Sequence, residues 1–220
     1  MAKKLQFFVA GLGRFGISVA VTLEKMGYDV MAMDIDEEVV QDLSDTLGYV
    51  VCADCSDEKN LVAIGAGNAD IAVVSVGDLS ASLMTTLLLK EMGVKKIVVK
   101  ALDPIHGKMM QKIGADKIIY SEKEMGVRVA HNLISPGIVD YIEMENNITI
   151  LSIRVPQELV NKSLIDTDVR RKYNITVVAI KRGGDMFVNP RPDMNMKEQD
   201  MLIILGDSES VKRVTESLEQ

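Results

Sequence analysis

Gly11, Gly13 and Gly16 stand in a G-x-G-x-x-G spacing that closes an apolar run and opens an amphipathic one. A strand that turns sharply into a helix points the helix's first N–H groups at one spot, where the dipole also favours an anion. Gly11 permits the tight bend, Gly13 lets the main chain approach a pyrophosphate, and Gly16 lets helix and strand pack closely. A glycine-rich turn with no ligand is the competing reading. The strand–turn–helix pattern around the loop argues against it.

More chemistry stands at the ends of neighbouring apolar runs. Asp34 ends the second run, about 20 residues past the loop, where an acid binds ribose hydroxyls and repels a 2′-phosphate. Asp54 follows the third run, where an adenine or its ribose would lie. Gly77, within Ser75-Val76-Gly77-Asp78 after the fourth, allows a close backbone approach to a ligand, and Asp78 reads equally as a solvated loop acid. Arg14 and Phe15 complete the glycine loop. An arginine there sits beside the phosphates and gains most from a terminal phosphate, which carries more charge than a diphosphate bridge. A surface arginine at a helix start is the alternative.

Cys52 and Cys55 form a C-x-x-C. A redox pair belongs at a helix start in a thioredoxin-like setting, and a zinc site needs two further ligands. Cys52 lies in a strand pattern, and His106 and His131 are lone residues in helical patterns. Two packed, reduced thiols are the expectation.

These residues need elements to hold them. Strand patterns fall at 5–10, 28–34, 49–53, 71–76, 96–101 and 117–120, rich in Val and Ile and apolar on both faces, as in a covered parallel sheet. Helical patterns lie between them: Arg14 to Met26, a second carrying Val39, Val40, Leu43 and Leu47 up to Gly48, a third capped by Ser56, a fourth over 80–92, and a fifth with Asp103 as N-cap and Pro104 behind it. The alternation predicts a Rossmann-type, doubly wound α/β sheet. A further helix opens on the capping box Ser121–Glu124 and halts at Ser135-Pro136-Gly137. We place the domain boundary there: 1–136, including that crossover helix, and 137–220. The second part reads as a small α+β domain, with strands at 148–155, 175–181, 185–189 and 201–205, helices at 164–173 and 208–218, and a Gly183-Gly184 hairpin turn.

Composition narrows the function. A net charge of −7 disfavours nucleic acid as a partner. No apolar run approaches the roughly 20 residues that span a bilayer, and the N-terminus lacks a signal-peptide pattern. The C-terminal part holds no His or Cys, no nucleophile elbow and no metal-ligand cluster, so no proton-transfer group is in view for a substrate domain. A regulatory nucleotide-binding protein is expected rather than an enzyme, with an NAD-dependent oxidoreductase or an NAD(H) sensor as the alternative.

The loop residues 11–16, together with Met33-Asp34-Ile35-Asp36, residues 53–58, Leu87–Glu91, Lys112–Asp116 and Glu122–Gly126, jointly resemble the RCK family, the cytosolic gating subunits of Trk/Ktr potassium transporters, and most of all the Ktr type. Residues 168–173 and 178–181 are similar to its RCK_C domain, so the resemblance spans the chain. It implies an RCK_N Rossmann domain that binds ATP or ADP, and a homo-octameric ring of four dimers beneath an integral membrane K+ transporter subunit. The chain would then be cytoplasmic and attached peripherally to the inner face of the cell membrane. The resemblance assigns Arg14 to the terminal phosphate, Asp34 to the ribose, Asp54 to the adenosine and Lys100 to the neighbourhood of the phosphates. It makes Glu122 a ligand to a divalent cation such as Mg2+ or Ca2+ at the dimer interface; an acid favoured by the helix dipole is the alternative there. The segment 164–190 matches the region that binds cyclic di-AMP in some members, departing from it at Arg171, Asn174 and Thr176.

Overall fold

The computed structural model describes residues 4–134, 138–144 and 147–218. By contact it divides into two compact units, Met1–Ser121 and Glu122–Gln220. The boundary expected at 135–137 lies outside the described residues, and the helix that starts at Ser121 falls with the second unit.

The first unit alternates strand and helix: β1 Gln6–Ala10, α1 Arg14–Lys25, β2 Asp29–Asp34, α2 Glu37–Leu43, β3 Tyr49–Cys52, α3 Glu58–Ile64, β4 Ile71–Val74, α4 Leu79–Glu91, β5 Lys96–Lys100, α5 Pro104–Ile113 and β6 Lys117–Ile119. All six strands are parallel, in the order β3-β2-β1-β4-β5-β6. This is the doubly wound Rossmann order, and it reverses direction beside β1. The period of two in β1 divides the core. Phe7 and Val9 pack with Leu12, Ala20, Val30 and Leu47 on one face. Phe8 and Ala10 pack with Met33, Leu61, Leu89 and Met110 on the other. Because both faces are buried, the strands read as unbroken apolar runs.

Several local expectations shift. α2 ends at Leu43; Leu47 is buried instead by a turn whose amide donates to the Leu43 carbonyl. The cap of α3 is Asp57, not Ser56: the Asp57 side chain accepts from the Lys59 amide, while Ser56 turns its hydroxyl to Asp54. Asp103 caps α5 as expected, accepting from the Ile105 and His106 amides. Cys52 is exposed while Cys55 is buried, so only one of the two free thiols is packed.

The second unit holds α6 Ser121–Ile134, β7 Ile138–Met144, β8 Ile148–Arg154, α7 Leu164–Thr167, α8 Val169–Tyr173, β9 Thr176–Arg182, β10 Asp185–Val188, β11 Met201–Asp207 and α9 Ser208–Leu218. Its sheet is antiparallel, ordered β10-β9-β11-β8-β7. Strand β7 was not expected, because Asp140 and Glu143 break the alternation that marks a half-buried strand. The single helix expected over 164–173 is two short ones. Asp168 adopts φ 42° between them, a left-handed conformation that its short polar side chain tolerates. Arg182 pairs with Asp185 across the two-residue Gly183-Gly184 turn, as the hairpin reading requires.

Candidate nucleotide-binding site

The C-terminal strand edge beside β1, where the sheet order reverses, is where open α/β sheets bind ligands. Gly11 turns out of β1 at φ 87°, and a Cβ there would stand 2.9 Å from the Ser75 carbonyl carbon and the Val76 nitrogen. Both its sterics and its backbone therefore demand glycine. A Cβ on Gly16 would overlap the Gly11 carbonyl oxygen. Gly13 differs: it is exposed at the N-cap of α1, and a Cβ on it meets no protein atom within 4 Å. The protein's own packing does not require that glycine, whereas an anion seated on the helix N-terminus would.

The other expected residues gather along the same edge. Asp34 ends β2 half-buried, its carboxylate accepting from the Leu12 amide of the loop and, at 2.9 Å, from the Asp36 amide. Sequence reasoning gave Asp34 only a ribose role, but it also braces the glycine loop; a carboxylate has about four acceptor positions, so the two roles are compatible. Arg14 is exposed at the first position of α1 and makes no hydrogen bond or ion pair among the described residues. Phe15 faces inward and packs on the Phe7–Val9 layer, which gives it a structural task.

Asp54 follows β3. The Ser56 hydroxyl at 2.7 Å, and then the Ser56 amide at 2.8 Å, hold its carboxyl below the ordinary carboxylate range, so it is anionic at neutral pH. Gly77 is exposed between β4 and α4, with open space around its missing Cβ. Asp78 accepts from the Ala81 amide as N-cap of α4, a role that neither of its sequence readings included. Lys100 is the last residue of β5, two strands from β1 on the same edge. Glu122 is exposed in the first turn of α6, within the second unit. Among the described residues, no three of His, Cys, Asp and Glu are grouped to hold a metal ion.

Two groups have structural explanations. His106 is buried; its Nδ1 accepts from the Leu102 amide at 3.1 Å, and burial lowers its pKa, keeping the ring neutral. Burial pushes the Cys55 thiol up, away from the thiolate that redox chemistry needs. The side chain of His131 lies outside the described residues. No described helix is long and apolar enough to cross a membrane.

The two units match families seen in known proteins. Residues 7–121 match the TrkA-N domain and residues 148–219 the TrkA-C domain. The chain is 41% identical to Ktr system potassium uptake protein A of Bacillus subtilis (strain 168) over 212 residues, 96% of each protein. Among solved structures, the GsuK channel bound to NAD is similar at 22% identity and a TM-score of 0.55, covering 98% of this chain and 38% of that one. The structure of GsuK bound to ADP matches at 24% identity and a TM-score of 0.51, over 59% of this chain and 34% of that one. This chain thus spans well under half of those structures, and at such identities the likeness shows the fold. With both domains matched in order and a full-length relative at 41% identity, the chain belongs to the RCK family of TrkA-N/TrkA-C proteins that includes the Ktr potassium-uptake proteins.

Proposed function

We propose that the chain is a regulatory subunit of a potassium-uptake system, binding ADP and ATP at the β1–α1 turn and passing the difference between them to a membrane transporter. One observation carries this reading: an α1 N-terminus with open space before Gly13 and an unengaged, exposed Arg14 beside it. ADP and ATP share most contacts, so only a group that meets the terminal phosphate distinguishes them. A hydrogen bond between charged groups contributes about 1.5–3 kcal/mol, a bias of roughly 10- to 150-fold per site. Switching a two-state element from almost closed to almost open takes about 5.5 kcal/mol, which two to four coupled sites supply. Coupled sites of that number call for a homo-oligomer, and the octameric ring is what the family resemblance implies.

Replacing Arg14 with Ala tests the reading. ATP-over-ADP preference should fall about tenfold or more while ADP affinity changes little. Equal losses for both nucleotides reduce Arg14 to a general phosphate contact. A divalent cation with Glu122 among its ligands belongs to the same proposal, since carboxylate and phosphate oxygens suit Mg2+ or Ca2+. Glu122→Gln should then abolish the effect of divalent cation on ATP-dependent transport, and unchanged cation dependence would return Glu122 to a dipole role. Cyclic di-AMP is proposed for the second unit, where Ile165, Arg170, Arg171 and Lys172 are exposed on α7 and α8. NAD(H) is the second reading, favoured by the acid that ends β2.

A further inference from the structure

The peptide unit joining Gly11 to Leu12 is held at both ends by side chains at the C-terminal ends of the two strands that flank β1, Asp34 in β2 and Ser75 just past β4. Its N–H, on Leu12, donates to the Asp34 carboxylate at the end of β2. Its C=O, on Gly11, accepts from the Ser75 hydroxyl, one residue past the end of β4, at 2.6 Å. The Ser75 amide is itself fixed, donating to the Ala10 carbonyl at 2.8 Å. Gly16 belongs to the same arrangement, since a Cβ on it would lie 2.5 Å from Ser75 Oγ. The third glycine thus leaves room for the hydroxyl as well as for the strand.

The 11–12 peptide turns over by rotation about ψ of Gly11 and φ of Leu12, and Gly11 has no Cβ to hinder its half of that rotation. Turning it over breaks both bonds and re-aims the N–H groups that follow. We propose that Ser75 is a positioning residue for phosphate binding: through the Gly11 carbonyl it locks the 11–12 peptide and presets the anion cradle at the start of α1. This rests on the nucleotide reading above and adds to it a residue that acts on the loop rather than on the ligand.

The test is calorimetric titration of ADP and inorganic pyrophosphate, with adenosine binding followed by NMR, on wild type, Ser75→Ala and Ser75→Thr. A neutral hydrogen bond contributes about 0.5–1.5 kcal/mol, equivalent to a roughly 2- to 13-fold change. Ser75→Ala should weaken ADP and pyrophosphate by several-fold and leave adenosine within about twofold, and Ser75→Thr, which keeps the hydroxyl, should recover phosphate affinity. Unchanged ADP affinity in Ser75→Ala, or an equal loss for adenosine, overturns the assignment while leaving the nucleotide reading intact. Failure of wild type to bind either ADP or NADH overturns both. Should Ser75→Ala not fold, Ser75→Cys decides by the same titrations, since a thiol is only a weak donor: a several-fold loss confined to ADP and pyrophosphate supports the assignment, and unchanged affinity overturns it.

Discussion

Each unit holds a set of bonded polar side chains, and the two sets serve opposite ends. In the first, they converge on a strand edge and hold one loop: Asp34 and Ser75 grip the glycine turn, while Gly13 and Arg14 stay exposed beside it. In the second, they close on each other. Arg182 forks onto the fully buried Asp200, donating from Nε at 2.7 Å and Nη2 at 2.6 Å, and also reaches the Asn195 carbonyl at 2.8 Å. The Lys197 amide completes the shell around Asp200. Polar groups that face one another stabilise an element; polar groups that brace a loop with an open side prepare it for a ligand.

The largest expected effect of breaking this pattern is in the second unit. Arg182→Ala leaves the Asp200 carboxylate buried without its cation and should cost about 3 kcal/mol. Chemical denaturation should show the loss confined to the transition of the second unit, and an unchanged midpoint would mean that the pair contributes nothing net. Next comes Gly16→Ala, whose methyl collides with the Gly11 carbonyl. Overpacking of that kind costs about 2 kcal/mol and should displace the loop, abolishing nucleotide binding. Gly13→Ala sharpens the contrast between glycines. It should change stability by no more than about 1 kcal/mol, yet weaken ADP by about tenfold. Comparable stability losses for the two substitutions would show that the glycines share one packing role.

Acid gives the mildest test. Burial opposes ionisation of Asp200, but Arg182 and the Lys197 amide outweigh it and hold the carboxyl below its ordinary value of 3.8. The stability it contributes is therefore complete above about pH 4 and is lost as pH falls through the lowered native value. A pH series of unfolding midpoints should be flat for this pair from neutrality to about pH 4 and decline below it. Decline beginning near pH 6 would point to another group.

What the sequence made legible follows from the range of the forces involved. The β1–loop–α1 turn, the acid ending β2 and the Asp103 cap are set by residues close in the chain, and spacing alone identifies them. Bonds that join distant segments left no such mark. Ser75 meets Gly11 across 64 residues, and its hydroxyl type gave no sign of that task. Strand β7 exists because β8 offers it an edge, despite acids that spoil its pattern. The break at Asp168 was hidden because Ile165, Val169 and Tyr173 keep a four-residue, helix-like spacing across it. The inward packing of the Phe15 side chain was legible too, since Phe15, Val19 and Leu23 keep a four-residue spacing.

The most direct measurement is calorimetric titration of ATP, ADP and NADH into the wild-type chain and into Asp34→Ala. Both adenine nucleotides should bind saturably at micromolar strength and be weakened by Asp34→Ala, with NADH no tighter than either. NADH binding far more tightly than ATP and ADP, or no saturable binding of any of the three, would contradict the proposed function.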